Sequence, residues 1–279
     1  MILIADSGST KTHWCIAENG NMILECYTGG INPYYQSEDD IKTLIQNDLL
    51  PRINNALPQA IYFYGAGCGS QEKQDIVRRT LNQFFPDSVI EVASDMLGAC
   101  RALFGNKQGI ACILGTGSNS CWYDGEKMVK NVPALGFILG DEGSGAVLGK
   151  RLVADCLKNQ LPEDLKNKFM ERFGLTPDNI LDKVYKQAFP NRFLAGLSVF
   201  LKENIDNPLI RTLVYDEFNL FFQRNIMQYP YTTLQVGFIG SIAHHYSELL
   251  SRAAAANRVC IHQITQDPVN GLINYHSGE

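Results

Sequence analysis

Three carboxylates stand where strand-like or glycine-rich stretches end: Asp6, Asp95 and Asp141. Near them lie turns of small polar residues: Asp6-Ser7-Gly8-Ser9-Thr10-Lys11-Thr12, Gly115-Thr116-Gly117-Ser118-Asn119 and Gly240-Ser241. Such turns expose backbone N–H groups that can cradle an oxygen-rich anion. An acid beside an anion-binding turn is badly placed unless a cation intervenes, so the combination suggests a metal–nucleotide site. In that chemistry the amides hold phosphates, a magnesium ion offsets their charge and a carboxylate handles an acceptor hydroxyl. Each residue also has a plainer reading. Residues 6–12 could be an ordinary hairpin turn, and Asp95, Asp141 and Ser144 could be helix caps. Asn32 before Pro33 is a common turn pair, Lys11 suits a solvated strand end, and His244 and His245 read as structural residues of a helix.

The elements that must position these residues alternate in type. Met1-Ile2-Leu3-Ile4-Ala5 is an apolar run of strand length, residues 13–17 return as a second strand, and Asn19-Gly20-Asn21 turns into a third. Glu38-Asp39-Asp40 opens a helical pattern that stops before Pro51. Residues 60–64 read as a strand, 71–85 as a helix, 88–93 as a strand, and a further helix starts near Asp95. This alternation predicts a mostly parallel or mixed α/β layer. At residue 110 the opening device repeats: strand 110–114, polar turn 115–119, returning strand 120–123. Trp14 and Trp122, the two tryptophans of the chain, fall on the two returning strands. A repeat on this scale predicts duplicated domains facing a common cleft. Asn106-Lys107-Gln108-Gly109 marks the junction, giving domains 1–108 and 109–279, with the last helix (about 268–276) free to pack back on the first domain. Helices are expected at 162–173, 177–189, 192–204 and 208–227, a strand at 236–240, and a helix from Ser241.

Composition narrows the class. The 279 residues carry a formal net charge of −5 and show no basic face, which argues against a nucleic-acid partner. No apolar run approaches the roughly 20 residues that span a bilayer, so no membrane partner is expected. The eight cysteines are scattered singly, without C-x-x-C or zinc spacing, and several, inside apolar strands, read as reduced core residues of a cytoplasmic protein.

Taken in order, Asp6-x-Gly8-x-Thr10-Lys11-Thr12, Gly115-Thr116-Gly117-Ser118-Asn119, Leu139-Gly140-Asp141-Glu142-Gly143-Ser144 and Gly240-Ser241-x-Ala243 resemble the motif series of the N-acetylglucosamine kinases. These fall among the BadF/BadG-type ATPases of the actin-like superfamily. The resemblance implies duplicated actin-like (ribonuclease H-like) α/β domains closing on ATP, Mg²⁺ and a sugar. It implies that Asp6 serves the metal, that Ser9, Thr10, Lys11 and Thr116 lie at the phosphates, and that Gly240 and Ser241 lie near the nucleoside. Asp95 aligns with the catalytic carboxylate that accepts the proton of the sugar 6-hydroxyl. Asn32, Ser118, Asn119, Gly136 and Asp141 would contact the sugar. Some branches carry Gly-Trp-Gly where this chain has Ala134-Leu135-Gly136, which leaves N-acetylglucosamine, N-acetylmuramic acid, glucosamine or another cell-wall sugar open. Two other readings are an ATPase activator of a radical acyl-CoA dehydratase or reductase, for which Cys68 is a loop-like candidate cluster ligand without a convincing second cysteine, and a sugar-binding regulator without catalysis. A homodimer is among the assemblies left open.

Overall fold

The computed structural model describes residues 1–8, 10–54 and 56–278. The chain forms two compact units. Unit one contains Met1–Gln108, Tyr123–Met128 and Asp267–Glu279; unit two contains Gly109–Trp122 and Val129–Gln266. The second unit therefore returns two segments to the first, the turn 123–128 and the C-terminal helix.

Unit one is built on β1 (Ile2–Ser7), β2 (Lys11–Glu18), β3 (Asn21–Gly29), β4 (Ala60–Gly65) and β5 (Val89–Ser94), in the sheet order β3-β2-β1-β4-β5. β1 pairs antiparallel with β2 and parallel with β4, and β4 runs parallel with β5. The near-continuous apolar run of β1 follows from burial on both faces. Leu3 and Ala5 point into a core with Trp14, Ile16, Ile41, Ile45, Val77 and Leu81, while Ile4 points the other way, toward Cys15, Ala17, Val269, Leu272 and Ile273. The period-two alternation of the strand thus sorts its residues between two helical layers.

The C-terminal helix Val269–Ser277 forms the second layer and is tied down by a polar chain. Arg101 donates to Tyr64 Oη (2.7 Å), the Tyr64 hydroxyl and His276 Nε2 share a hydrogen bond (2.7 Å), and the imidazole stacks on Tyr62 at 3.5 Å. Burial, reinforced by the Arg101 charge, lowers the His276 pKa to about 4, which keeps the imidazole uncharged at neutral pH.

Unit two repeats the plan. β6 (Gly109–Leu114), β7 (Ser118–Tyr123), β8 (Met128–Val132), β9 (Val236–Ile239) and β10 (Ile261–Thr265) are ordered β10-β9-β6-β7-β8, which is the order of unit one shifted by five strands. β6, β9 and β10 are parallel, as β1, β4 and β5 are. A large core of Phe169, Phe200, Phe218, Phe221, Phe222 and Phe238 joins this sheet to helices including Gly145–Leu157, Pro190–Glu203 and Pro208–Arg224. Among the described residues, no helix is long and apolar enough to cross a membrane.

Several helix boundaries differ from expectation: the helix from Pro177 ends at Tyr185, and the helix from Ser241 is split into Ser241–His245 and Ser247–Ala256. The helix from Glu38 does not stop before Pro51: a π-helical stretch at Ile45–Leu49 leads into Leu50–Arg52, with Pro51 inside the last turn. The wider turn bonds Leu50 N–H to Ile45 C=O just before the proline, which has no N–H with which to continue the ladder. The helix from Pro208 ends at Arg224, and a separate short turn, Ile226–Gln228, follows.

The helix Asp95–Phe104 sits hard against β4, because a methyl group on Gly98 would lie 2.8 Å from Tyr64 Cγ. Gly98→Ala is expected to destabilise unit one by about 1–3 kcal/mol through overpacking. Urea unfolding of the two proteins side by side would measure the loss.

Candidate active site

The parallel strands of unit one end in register. Ser7 pairs with Gly65 and Gly65 with Ser94, so Asp6 on β1 and Asp95 just after β5 occupy the same carboxyl edge of the sheet. Two strand spacings put their backbones about 10 Å apart. This edge is where open α/β sheets place their ligands. Ser7 closes the first turn: its hydroxyl donates to the Ile31 carbonyl (2.9 Å), accepts the Ile31 N–H (3.0 Å), and lies 2.7 Å from Thr12 Oγ1. Gly8 N–H bonds to the Lys11 carbonyl, leaving Thr10 and Lys11 exposed, with the Lys11 ammonium 5.0 Å above the Tyr27 ring. Ser9 lies outside the described residues. Asn32 is buried (7%), and its Oδ1 accepts the Tyr34 N–H.

Asp95 is not the cap of its helix. Ser94 is, accepting the Leu97 N–H at 3.2 Å, and Asp95 becomes the first helical residue, its Oδ1 accepting the Met96 N–H at 2.8 Å. Burial raises the Asp95 pKa against these backbone hydrogen bonds. Asp6 is pushed up to about 7, first by burial, then by the charges of Asp95 and Asp267, with Lys11 opposing. Asp267 is a residue that sequence reasoning missed. It precedes Pro268 at the start of the C-terminal helix, accepts the Val269 N–H, and reaches this neighbourhood only because that helix packs on unit one. The described residues contain no group of three or more His, Cys, Asp or Glu that could hold a metal by itself. A lone carboxylate supplemented by phosphate oxygens nonetheless fits Mg²⁺, which favours few protein ligands.

Cys68 is fully buried, and burial followed by the Asp95 charge pushes its thiol up to about 12. It offers no exposed thiolate for a cluster.

In unit two the structure brings three sequence motifs together. Gly145 N–H bonds to Gly115 C=O (2.9 Å) and Ala146 N–H to Thr116 C=O (3.0 Å), fastening the helix Gly145–Leu157 to the turn 115–119. Ser144 caps that helix through the Val147 N–H, so Asp141 is not needed as its cap. Asp141 instead adopts a left-handed conformation (φ 58°), and its Oδ1 accepts the Ser118 N–H at 3.2 Å. The third motif meets the same turn: Gly240 has φ 125°, and a methyl group there would sit 2.2 Å from the Leu114 carbonyl oxygen. Glycine is required at that contact. Ser241 and Gly136 are exposed, while Asn119 accepts hydrogen bonds from Ser120 N–H and Asn131. Burial raises the Asp141 pKa to about 6, helped by Glu142 and opposed by the Ser118 amide and Lys150. Lys150, also missed from sequence, donates to the Phe137 carbonyl at 2.6 Å. Its position on the inner side of the following helix is the signal that could have found it.

The repeated sheet order and these motif-bearing turns define a duplicated actin-like α/β fold. A crystal structure of a candidate N-acetylglucosamine kinase from Porphyromonas gingivalis is 47% identical, with a TM-score of 0.98 over 100% of this chain and 99% of that one. The chain belongs to the N-acetylglucosamine kinase family. A second candidate N-acetylglucosamine kinase, from Chromobacterium violaceum, shares the fold at 18% identity, with a TM-score of 0.78 over 98% of both chains. A curated N-acetylmuramic acid/N-acetylglucosamine kinase from Clostridium acetobutylicum is 27% identical over 160 residues, 55% of this chain. The match spans about half (52%) of that relative's length. No protein-family model matches the chain.

The Asp141 carboxylate has a measurable signature. Its folded pKa of about 6 lies above the ordinary carboxylate value, so its contribution to the fold is full below about pH 4, is lost as pH rises through about 6, and is constant above that. Asp141→Asn keeps an acceptor for the Ser118 amide and tolerates the left-handed backbone. The variant is expected to match the wild type at pH 4 and to exceed its stability by about 1–2 kcal/mol at pH 8. Chemical denaturation at the two pH values would test this.

Proposed function

We propose that the protein transfers the γ-phosphoryl group of ATP to the 6-hydroxyl of an N-acetylated amino sugar, N-acetylglucosamine or a related cell-wall sugar. The observation that carries the reading is the division of labour at Ser94 and Asp95. Because Ser94 caps the helix, Asp95 remains available at the carboxyl edge of the sheet, where burial raises its affinity for a proton. Membership of the kinase family supports the reaction class.

In this proposal Asp95 orients the sugar hydroxyl and accepts its proton as O6 bonds to the γ-phosphorus. The bond from that phosphorus to the β,γ-bridging oxygen breaks, and ADP leaves. Positioning contributes more than basicity, since phosphoryl transfer passes through a loose transition state with little early proton transfer. Thr10, Lys11 and Thr116 serve the phosphates, Ser9 joining them by sequence alone, and Gly240 and Ser241 serve the nucleoside. Asp141, with Ser118, Asn119, Gly136 and Asn32, serves the sugar. Asn32 acts from beneath, through the turn it closes on Tyr34. A magnesium ion held by Asp6 and the phosphate oxygens would offset phosphate charge. ATP as co-substrate fits a cytoplasmic setting. Buried, protonated Cys68 gives the activator-ATPase reading no cluster ligand.

Incubation with ATP, Mg²⁺ and a panel of hexosamines, followed by mass spectrometry and NMR of the product, is expected to reveal a 6-phosphate. Failure of every amino sugar to gain a phosphate would sink the proposal. Asp95→Asn is expected to lower kcat by about 10²–10⁴-fold while nucleotide binding by calorimetry stays within a factor of about two. An active Asp95→Asn enzyme would remove that residue from the mechanism.

A further inference from the structure

Residues 134–143 of unit two form a loop held in an unfavourable backbone state. Leu135 (φ 63°), Gly136 (φ 72°), Asp141 (φ 58°) and Gly143 (φ 72°) all lie in the left-handed region. A non-glycine residue there is costly and persists only where surrounding contacts over-determine it. Asp141 needs this conformation to aim its carboxylate at the Ser118 amide. Within the loop, Asp141 N–H bonds to Ala134 C=O (3.1 Å) and Gly140 N–H to Gly136 C=O (2.8 Å). These bonds close the loop on itself but do not fix it to the rest of the unit.

Outward fixing comes from Lys150, which donates to the Phe137 carbonyl at 2.6 Å, and, next to Asp141 itself, from Glu142. Glu142 points to the end of the helix Pro208–Arg224, where its Oε1 accepts from Arg224 Nε at 2.6 Å and its Oε2 from Asn225 Nδ2 at 3.4 Å. The Glu142 side chain is 14% exposed and that of Arg224 61% exposed, so the carboxylate end of this charge-assisted pair is shielded while the guanidinium end faces water. Gly143 lies against the same helix, where a methyl group would come 3.3 Å from Phe218 Cδ1. Consecutive acids therefore diverge: Asp141 reaches the turn 115–119, and Glu142 anchors the loop on the opposite side.

We propose that Glu142 is a positioning residue: its bonds to Arg224 and Asn225 hold residues 134–143 in the strained state that aims Asp141, and thereby set the affinity for the amino sugar. The sugar part rests on the role proposed above for Asp141; the positioning part does not. An ion pair that only adds stability would leave the Asp141–Ser118 contact unchanged when removed.

The test uses the full chain. Amide hydrogen exchange at Ser118, followed by NMR, reports the Asp141 contact without any ligand. Glu142→Ala is expected to speed that exchange about tenfold or more, with amides on β6 and β9 unaffected. Titration calorimetry with N-acetylglucosamine and with N-acetylmuramic acid is expected to show sugar binding weakened about tenfold, and sugar KM raised while KM for ATP holds. The charge swap Glu142→Arg with Arg224→Glu is expected to recover most of both effects, which guards against general misfolding in the single variant. Unchanged Ser118 exchange in Glu142→Ala would overturn the proposal. If Ser118 loosens yet the wild-type protein binds neither sugar, positioning stands and the sugar reading falls.

Discussion

Because β1 is buried on both faces, its backbone groups can be satisfied only by neighbouring strands, and its side chains only by helical layers above and below. That requirement organises unit one. β2 and β4 flank the strand, the helices Glu38–Leu44 and Gln71–Phe84 receive Leu3 and Ala5, and the C-terminal helix receives Ile4. The last of these layers comes from the far end of the sequence. Its apolar packing, with the polar fastening through Arg101, Tyr64 and His276, brings Asp267 near Asp6. β6 meets the same requirement in unit two, with Ile110, Cys112 and Leu114 buried in one aromatic-rich core.

The same burial shapes the chemistry. Buried carboxylates lose solvation, whether at the carboxyl edge of a sheet (Asp6, Asp95) or on a loop (Asp141), and each is accordingly raised above its ordinary pKa. Such groups cost stability in the free protein at neutral pH. A cation or a hydrogen-bond donor that approached them would relieve an uncompensated or crowded charge. Close contacts that admit only glycine, at Gly98 behind Asp95 and at Gly240 behind Leu114, hold these elements at fixed separations.

Repetition gives the two units the same sheet order but not the same site. Unit one carries its acids on strand ends, at Asp6 and just past Ser94. Unit two carries Asp141 on a strained loop that must be closed internally and anchored by Glu142. A rigid strand end and a strained loop are different solutions to aiming a carboxylate. The second depends on more partners, spread from residue 118 to residue 225.

Much of this was legible in the chain itself. Apolar periodicity and glycine turns located the strands, since a strand buried on both faces must be apolar throughout. The echo of residues 1–17 at 110–123 announced the duplicated plan, and the motif order pointed to the kinase family. Local rules ran out where a decision belonged to distant partners. Whether Asp95 or Ser94 capped a helix turned on which side chain reached the Leu97 amide. Pro51 was absorbed where a π-helical stretch led into the last turn. Asp267 gained meaning only when the C-terminal helix packed on unit one, and Glu142 only when Arg224 and Asn225 came within hydrogen-bonding reach. The sequence determined which elements form and which residues can bear charge, because those depend on side-chain type and spacing along the chain. The tertiary structure decided which charges meet and at what pKa, because desolvation and hydrogen bonding depend on neighbours that spacing along the chain does not specify.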